Sequence, residues 1–157
     1  MTQDQPASLA AATRVLAGDD RTRYDAFAIA LHWATAVLVV LQFILAVTWD
    51  FADRPVRHLM IVAHMSFGIL LSAVLIVRIV WRLMPGHQVS PAVSGWVEIA
   101  SKAVHYLLYA LLVAQAVLGF VLRWSGNEAM SFFGLLIQPP FPPFSKPAHE
   151  MVGEAHE

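Results

Sequence analysis

The chain contains no cysteine and little charge. The absence of cysteine from all 157 residues excludes disulfides, iron–sulfur ligation and thiolate chemistry, so any metal must be held by histidine. Charged residues make up only 13% and hydrophobic residues 58% of the chain, against about 25% and roughly 45–50% in ordinary soluble domains. This composition indicates a membrane protein. The net charge of −1 offers no strongly basic face, so we expect no nucleic-acid partner.

Three apolar runs are long enough to cross a membrane. Residues 26–49, 59–83 and 100–122 each reach the roughly 20 residues that a helix needs to span a hydrocarbon core of about 30 Å. All three are apolar on every side, as membrane helices are, and tryptophans stand at or near their ends, as interfacial aromatics do. The sequence therefore predicts an all-α transmembrane helix bundle in one domain.

The remaining segments are predicted to lie outside these spans. Residues 1–23 have no apolar core of a signal peptide and are expected to form a flexible cytoplasmic arm. Residues 123–148 contain a short apolar run followed by prolines, so we expect a loop on the outer interface. Residues 149–157 return to helix-forming composition and are expected to begin a fourth helix.

The basic residues predict the orientation. Six lie at the side of the N-terminus and four at the other side, which favours an N-terminus inside. The first group is Arg14, Arg21, Arg23, Arg78, Arg82 and Lys102, and the second is Arg54, Arg57, Arg123 and Lys146.

Each span carries one histidine within its first turns. His32, His64 and His105 lie six, five and five residues into their runs, or roughly 8–9 Å deep at about 1.5 Å per residue. Because helix direction alternates, His32 and His105 approach the inner face and His64 the outer face. Any one of them alone would be read as a hydrogen-bonded residue between helices, but ionisable groups at this depth are functional by default. Two depths predict two sites, and paired neutral imidazoles suit haem b in an electron carrier. Zinc is a poor alternative because no four ligands share one depth.

Two glycines and one arginine are expected near these sites. Gly68 follows His64 by four residues and Gly119 follows His105 by fourteen, and a flat porphyrin needs small residues on the helices that face it. Fourteen residues return to within ~40° of the same face, ~21 Å further along, so we expect Gly119 beside the outer site. Arg78 follows His64 by fourteen residues, either to pair with a haem propionate or to snorkel to the headgroups.

A set of short segments carries a family resemblance. They are residues 29–33 with His32, 64–68 with His64, 77–82, 105–109 with Gly119 further on, 132–135, and 155–157 with His156. In this order and spacing they resemble the bacterial di-haem cytochrome b561 family, from about Tyr24 onward. The resemblance implies a four-helix up-and-down bundle, of which residues 24–157 supply three spans and the beginning of the fourth helix. It also implies two b haems.

The resemblance also implies ligands. In the family the fourth helix supplies two haem ligands fourteen residues apart, and the first belongs to a His-Glu pair that His156-Glu157 resembles; His149-Glu150 is the lesser candidate. This pairs His64 with His156 at the outer haem and leaves His32 without its usual partner at the inner one. His105 is assigned a place beside the inner haem or quinone. A fourth helix is expected from a longer chain or from another chain.

These features predict a membrane electron carrier of the bacterial inner membrane. Family members include a superoxide oxidase that passes electrons to ubiquinone, so we expect single electrons to pass between an outer-face donor, superoxide in the sharpest version, and the quinone pool. One alternative is a cytochrome b subunit that anchors a respiratory dehydrogenase or hydrogenase. Another is a haem-free accessory membrane subunit. The expected partners are the lipid bilayer, quinone and a redox partner protein.

Overall fold

The computed structural model describes residues 26–84 and 95–156. Helix α1 spans Ala26–Thr48 and continues as a 3-10 turn, Trp49–Phe51; α2 spans Arg54–Leu83, and α3 spans Trp96–Ser125. All three are long and apolar enough to cross a membrane, which confirms the expected helical membrane fold. The expected N-terminal arm, residues 1–23, lies outside the described residues.

Helices α2 and α3 begin before their apolar runs. Helix α2 starts at Arg54 instead of residue 59, with Pro55 in its first turn, where proline removes no hydrogen bond and its fixed φ suits a helix. Helix α3 starts at Trp96 instead of residue 100. Both early turns carry charged residues, so hydrophobicity alone places the helix starts too late.

The segment after α3 folds into a small hairpin and a short helix. Strands β1 (Met130–Phe132) and β2 (Leu135–Ile137) pair antiparallel, with Phe132 opposite Leu135. The two residues between them, Phe133 and Gly134, have φ of 46° and 95°, and positive φ at both positions is the mark of a type I′ turn. Helix α4, Lys146–His156, follows and begins three residues before the expected start.

The helices form two antiparallel pairs. Helix α1 packs on α2 from the Phe27–Trp81 ring contact, with centroids 4.6 Å apart, to the Asp50–Arg57 ion pair of 2.7 Å. Helix α3 packs antiparallel on α4, with His149 beside Gly126 and His156 beside Gly119. We call the end where α1 begins and α2 ends the proximal end, and the end where α2 begins and α3 ends the distal end. The positive charges predict that the distal end faces outward.

Contact between the pairs is limited. Helices α2 and α3 meet, and Arg78 lies over the Tyr109 ring, 5.3 Å from its centroid. Within the described ranges, no Cα atom of α4 comes within 8 Å of α1 or α2, and the same holds for α1 and α3. Because directly packed helices have axes about 8–10 Å apart, α2 and α4 are separated by more than ordinary side-chain packing.

The hairpin is fastened to α2 through a buried serine. Ser66 is only 1% exposed; its Oγ accepts the Phe133 N–H at 3.0 Å and lies 3.2 Å from the Ser131 carbonyl oxygen. The Phe67 and Phe133 rings pack edge to face, with centroids 5.7 Å apart. The hairpin is thereby held against α2 two residues after His64.

We predict that Ser66→Ala destabilises the protein through the hairpin. The substitution leaves the Phe133 N–H without its acceptor, so the free energy of unfolding in detergent should fall by about 1–2 kcal/mol. Ser72→Ala is the matched control, because Ser72 donates only to the Gly68 carbonyl of its own helix at 2.8 Å and should cost less than about 0.5 kcal/mol. Denaturant titration followed by circular dichroism measures both. Equal effects would contradict the role of Ser66 as the hairpin fastening.

Candidate functional site

His64 lies half-buried on α2 near the distal end. Its ring packs edge-on against Trp49 at the end of α1, with centroids 5.3 Å apart. The Nδ1 atom is buried and has no hydrogen-bond partner among the described residues. Since a polar atom withdrawn from water costs free energy unless it is paired, this imidazole needs an interaction beyond the ones that the described residues supply.

His156 of α4 lies close enough to His64 for the two imidazoles to interact electrostatically, although the Cα atoms of α2 and α4 stay more than 8 Å apart. We call two imidazoles in this relation facing. The His156 ring lies against Gly119 of α3, where a Cβ would come within 3.1 Å of the ring Cε1. The sequence predicts that Gly119 makes room for a porphyrin. In the structure it makes room for the imidazole of a predicted ligand.

Two glutamines, which the sequence reasoning missed, hold the backbones of these histidines. Gln42 of α1 donates from Nε2 to the His64 carbonyl oxygen at 2.9 Å, and Gln115 of α3 donates to the His156 carbonyl oxygen at 3.2 Å. Gly68, also expected to face porphyrin, makes room for the first amide: a Cβ there would lie 2.9 Å from Gln42 Nε2. The available signal was that these are the only two amide side chains in the three spans.

His149, the lesser ligand candidate, is held elsewhere. Its Nδ1 lies 2.7 Å from Ser125 Oγ, and that hydroxyl donates to the Leu122 carbonyl oxygen at 2.9 Å. Because Ser125 has only one hydroxyl proton, its Oγ accepts from His149 Nδ1–H. This bond fixes His149 to the end of α3, while His156, two turns further along, is the one that faces His64.

The proximal end is arranged differently. Arg78 donates from Nη2 to His32 Nδ1 at 2.9 Å, and a guanidinium has no acceptor, so a neutral His32 carries its proton on Nε2. The same guanidinium lies over Tyr109. Arg78 is therefore engaged with His32 and Tyr109 within the bundle, and its pairing with a haem propionate stays a prediction.

The structure does not bring His105 to His32. Helices α1 and α3 do not pack on each other in the described residues, and both histidines are exposed. His105 Nδ1 lies 2.6 Å from the Ser101 carbonyl oxygen, so Nδ1 carries the proton of a neutral ring and Nε2 holds a lone pair. Its expected place beside the inner haem or quinone stays a prediction.

The distal residues fit a bis-histidine haem. An iron in a porphyrin needs only two protein ligands, and the distal site offers two facing imidazoles, an unsatisfied buried Nδ1 and helices held apart. The proximal residues as arranged do not fit, because Arg78 occupies His32 Nδ1 and leaves the proton on Nε2. His32 remains a predicted ligand, and no step is derived through it.

A mostly helical membrane bundle in which two helices present facing histidines is the arrangement of a membrane cytochrome of the b type. The chain belongs to the prokaryotic cytochrome b561 family, whose sequence model matches residues 23–157. Membership places the chain among the prokaryotic membrane cytochromes, and the family implies haem b.

Two curated relatives are similar to the chain. Cytochrome b561 homolog 2 of Escherichia coli K12 is 33% identical over 116 residues, which cover 71% of this chain and 61% of that relative. Probable superoxide oxidase CybB of Yersinia pestis is 24% identical over 116 residues, which cover 73% of this chain and 66% of that relative. The matched region thus spans less than two thirds of the length of each.

We predict that Gly119→Ala impairs the distal site and Gly126→Ala does not. A Cβ would meet an imidazole Cε1 at 3.1 Å in both cases, His156 at position 119 and His149 at position 126, so the two substitutions are sterically matched. Displacing the ring of an iron ligand should weaken haem retention about tenfold. The reduced-minus-oxidised absorbance per mole of purified protein measures this. The same loss in both variants would contradict the choice of His156 over His149.

Proposed function

We propose that the chain holds a b haem between His64 and His156 and passes single electrons between a donor at the outer face and the quinone pool. The observation that carries the proposal is the pair of facing imidazoles on helices that do not pack on each other. Haem supplies reversible one-electron chemistry when bound. The chain supplies the two axial nitrogens, their orientation and the apolar surroundings that tune the potential.

Neutral imidazoles suit this role for an electrostatic reason. Each ligand must present an unprotonated nitrogen to the iron, and neither adds net charge to a site in hydrocarbon. Two histidine ligands would leave the iron no open position for oxygen. The distal haem is therefore expected to transfer electrons without binding small ligands at the iron.

The proposal also names the electron donor and the electron acceptor. Superoxide as donor is supported by the name of the Yersinia relative, probable superoxide oxidase, and ubiquinone as acceptor by the resemblance to the family. Three of the four basic side chains of the distal end have a carboxylate nearby: Arg57 with Asp50, Arg123 with Glu128, and Lys146 with Glu150. Their charge is compensated, so we assign them no part in attracting an anion.

The hairpin supports a second candidate function. Its Phe133, Leu135 and Leu136 are 63%, 65% and 62% exposed at the distal end, which is where a dehydrogenase or hydrogenase would dock on a cytochrome b subunit. Such a subunit would carry the same haem but take its electrons from a protein. The two candidates differ in whether the isolated protein reacts with superoxide.

We predict that His64→Ala and His156→Ala each abolish the distal haem signal, because one axial ligand alone leaves the iron weakly held. His149→Ala is the matched control on α4 and should leave the signal unchanged. A reduced-minus-oxidised spectrum of purified protein measures the haem, and quinone reduction on addition of superoxide then tests the donor. Protein without a b-type absorbance band would refute the haem proposal; haem-loaded protein inert toward superoxide would refute that donor and favour the docked subunit.

A further inference from the structure

The three spans contain two amide side chains, and both donate a hydrogen bond to a main-chain carbonyl oxygen. Gln42 lies on α1 and Gln115 on α3, and polar side chains at membrane depth are rare and by default functional. Each donates a hydrogen bond from Nε2 to the main-chain carbonyl oxygen of a histidine on the neighbouring helix, at 2.9 Å for His64 and 3.2 Å for His156. The same contact thus occurs independently in both helix pairs.

The two histidines reached in this way are the pair that faces across the distal site. His32, by contrast, is held through its ring, by Arg78. His105 and His149 are held through their rings as well, by Ser101 and Ser125. A bond to the carbonyl fixes the turn that carries the imidazole and leaves both ring nitrogens out of the contact. That is the restraint that suits a residue whose ring nitrogen is needed by a metal.

The packing around Gln42 supports a specific role. Gly68, one turn after His64, lets the amide approach so closely that a Cβ would lie 2.9 Å from Nε2. The other end of the amide, Oε1, is buried without a hydrogen-bond partner in the described part of the chain. A carbonyl oxygen left unpaired in this way costs free energy, so helix packing alone does not explain why Gln42 occupies this position.

We propose that Gln42 and Gln115 are positioning residues of the distal haem, each fixing the main chain of one axial ligand so that its imidazole meets the iron at a set place and angle. The inference rests on the distal haem proposed above. The glutamines touch neither the reacting centre nor the ring nitrogens. Their effect reaches the iron through the orientation and the strength of the two axial bonds.

The variants Gln42→Met and Gln115→Met test the proposal, because methionine keeps the length of the side chain and removes the donor. Each should speed the transfer of haem to an acceptor apoprotein about tenfold and shift the low-spin ferric electron paramagnetic resonance signal of one haem. Thr48→Val is the matched control, since Thr48 Oγ donates to the Ile44 carbonyl of its own helix at 2.6 Å. It should change neither readout.

Two further variants distinguish the positioning role from a simple folding defect. Gly68→Ala leaves Gln42 in place but pushes its amide away, so it should reproduce the Gln42→Met result. Gln42→Ala combined with Gly68→Ala should be no worse than Gln42→Ala alone, because the added methyl group then meets no amide.

The outcomes separate the two proposals. Wild-type protein without a b haem would overturn the distal haem and the positioning role together. Wild-type haem with glutamine variants that behave like Thr48→Val would overturn the positioning role alone. A lower melting temperature with an unchanged resonance signal and unchanged haem transfer would also overturn it, because that combination is the result of helix packing only.

Discussion

Polar groups inside the hydrocarbon must find their partners within the protein, and the structure depends on this constraint. Water is not available there to pair an N–H, a carbonyl or an imidazole nitrogen. Serine and threonine meet the constraint locally: Thr35, Thr48 and Ser72 each donate to the carbonyl four residues back in their own helix. The side chains that reach another helix are few, and they surround the histidines.

The same constraint explains how two helix pairs form one unit without a large common core. The buried apolar side chains of the described residues are only Leu31, Leu38, Leu75 and Met130, because lipid covers most of each span and is as apolar as leucine. Polar contacts between the pairs are made at their two ends, by Arg78 over Tyr109 and by the hairpin on Ser66. Between them α2 and α4 stay apart. A haem there would itself be a packing element, and its binding would stabilise the folded bundle by mass action.

The sequence predicts the spans well and the contacts poorly. Length and hydrophobicity locate α1 within a few residues, and the depths of His32, His64 and His105 follow from counting. The hairpin was not predicted, because its I′ turn puts Phe133 at positive φ, where glycine, asparagine and aspartate are the usual signals. Nor could sequence pair Gln42 with His64, since that bond depends on how α1 and α2 register in space. The sequence predicts that Gly68 and Gly119 make room for a porphyrin. In the structure, the side chains that lie against them are Gln42 and His156 of the chain itself.

The tautomers indicate only in part which histidines are suited to bind iron. The group that faces each ring also has to be considered. His105 and His149 each donate from Nδ1 to an oxygen and keep a lone pair on Nε2, which is the state of a typical metal ligand. By that criterion they are better prepared than His32, whose Nδ1 accepts from Arg78. Among the described residues, however, neither has an imidazole facing it from a separated helix. Haem iron in an electron carrier needs ligands from both sides of the porphyrin, so a facing pair weighs more than the tautomer of any single ring. In the described chain His64 and His156 meet that condition, and Gln42 and Gln115 bond to the main chain of these residues instead of to their rings.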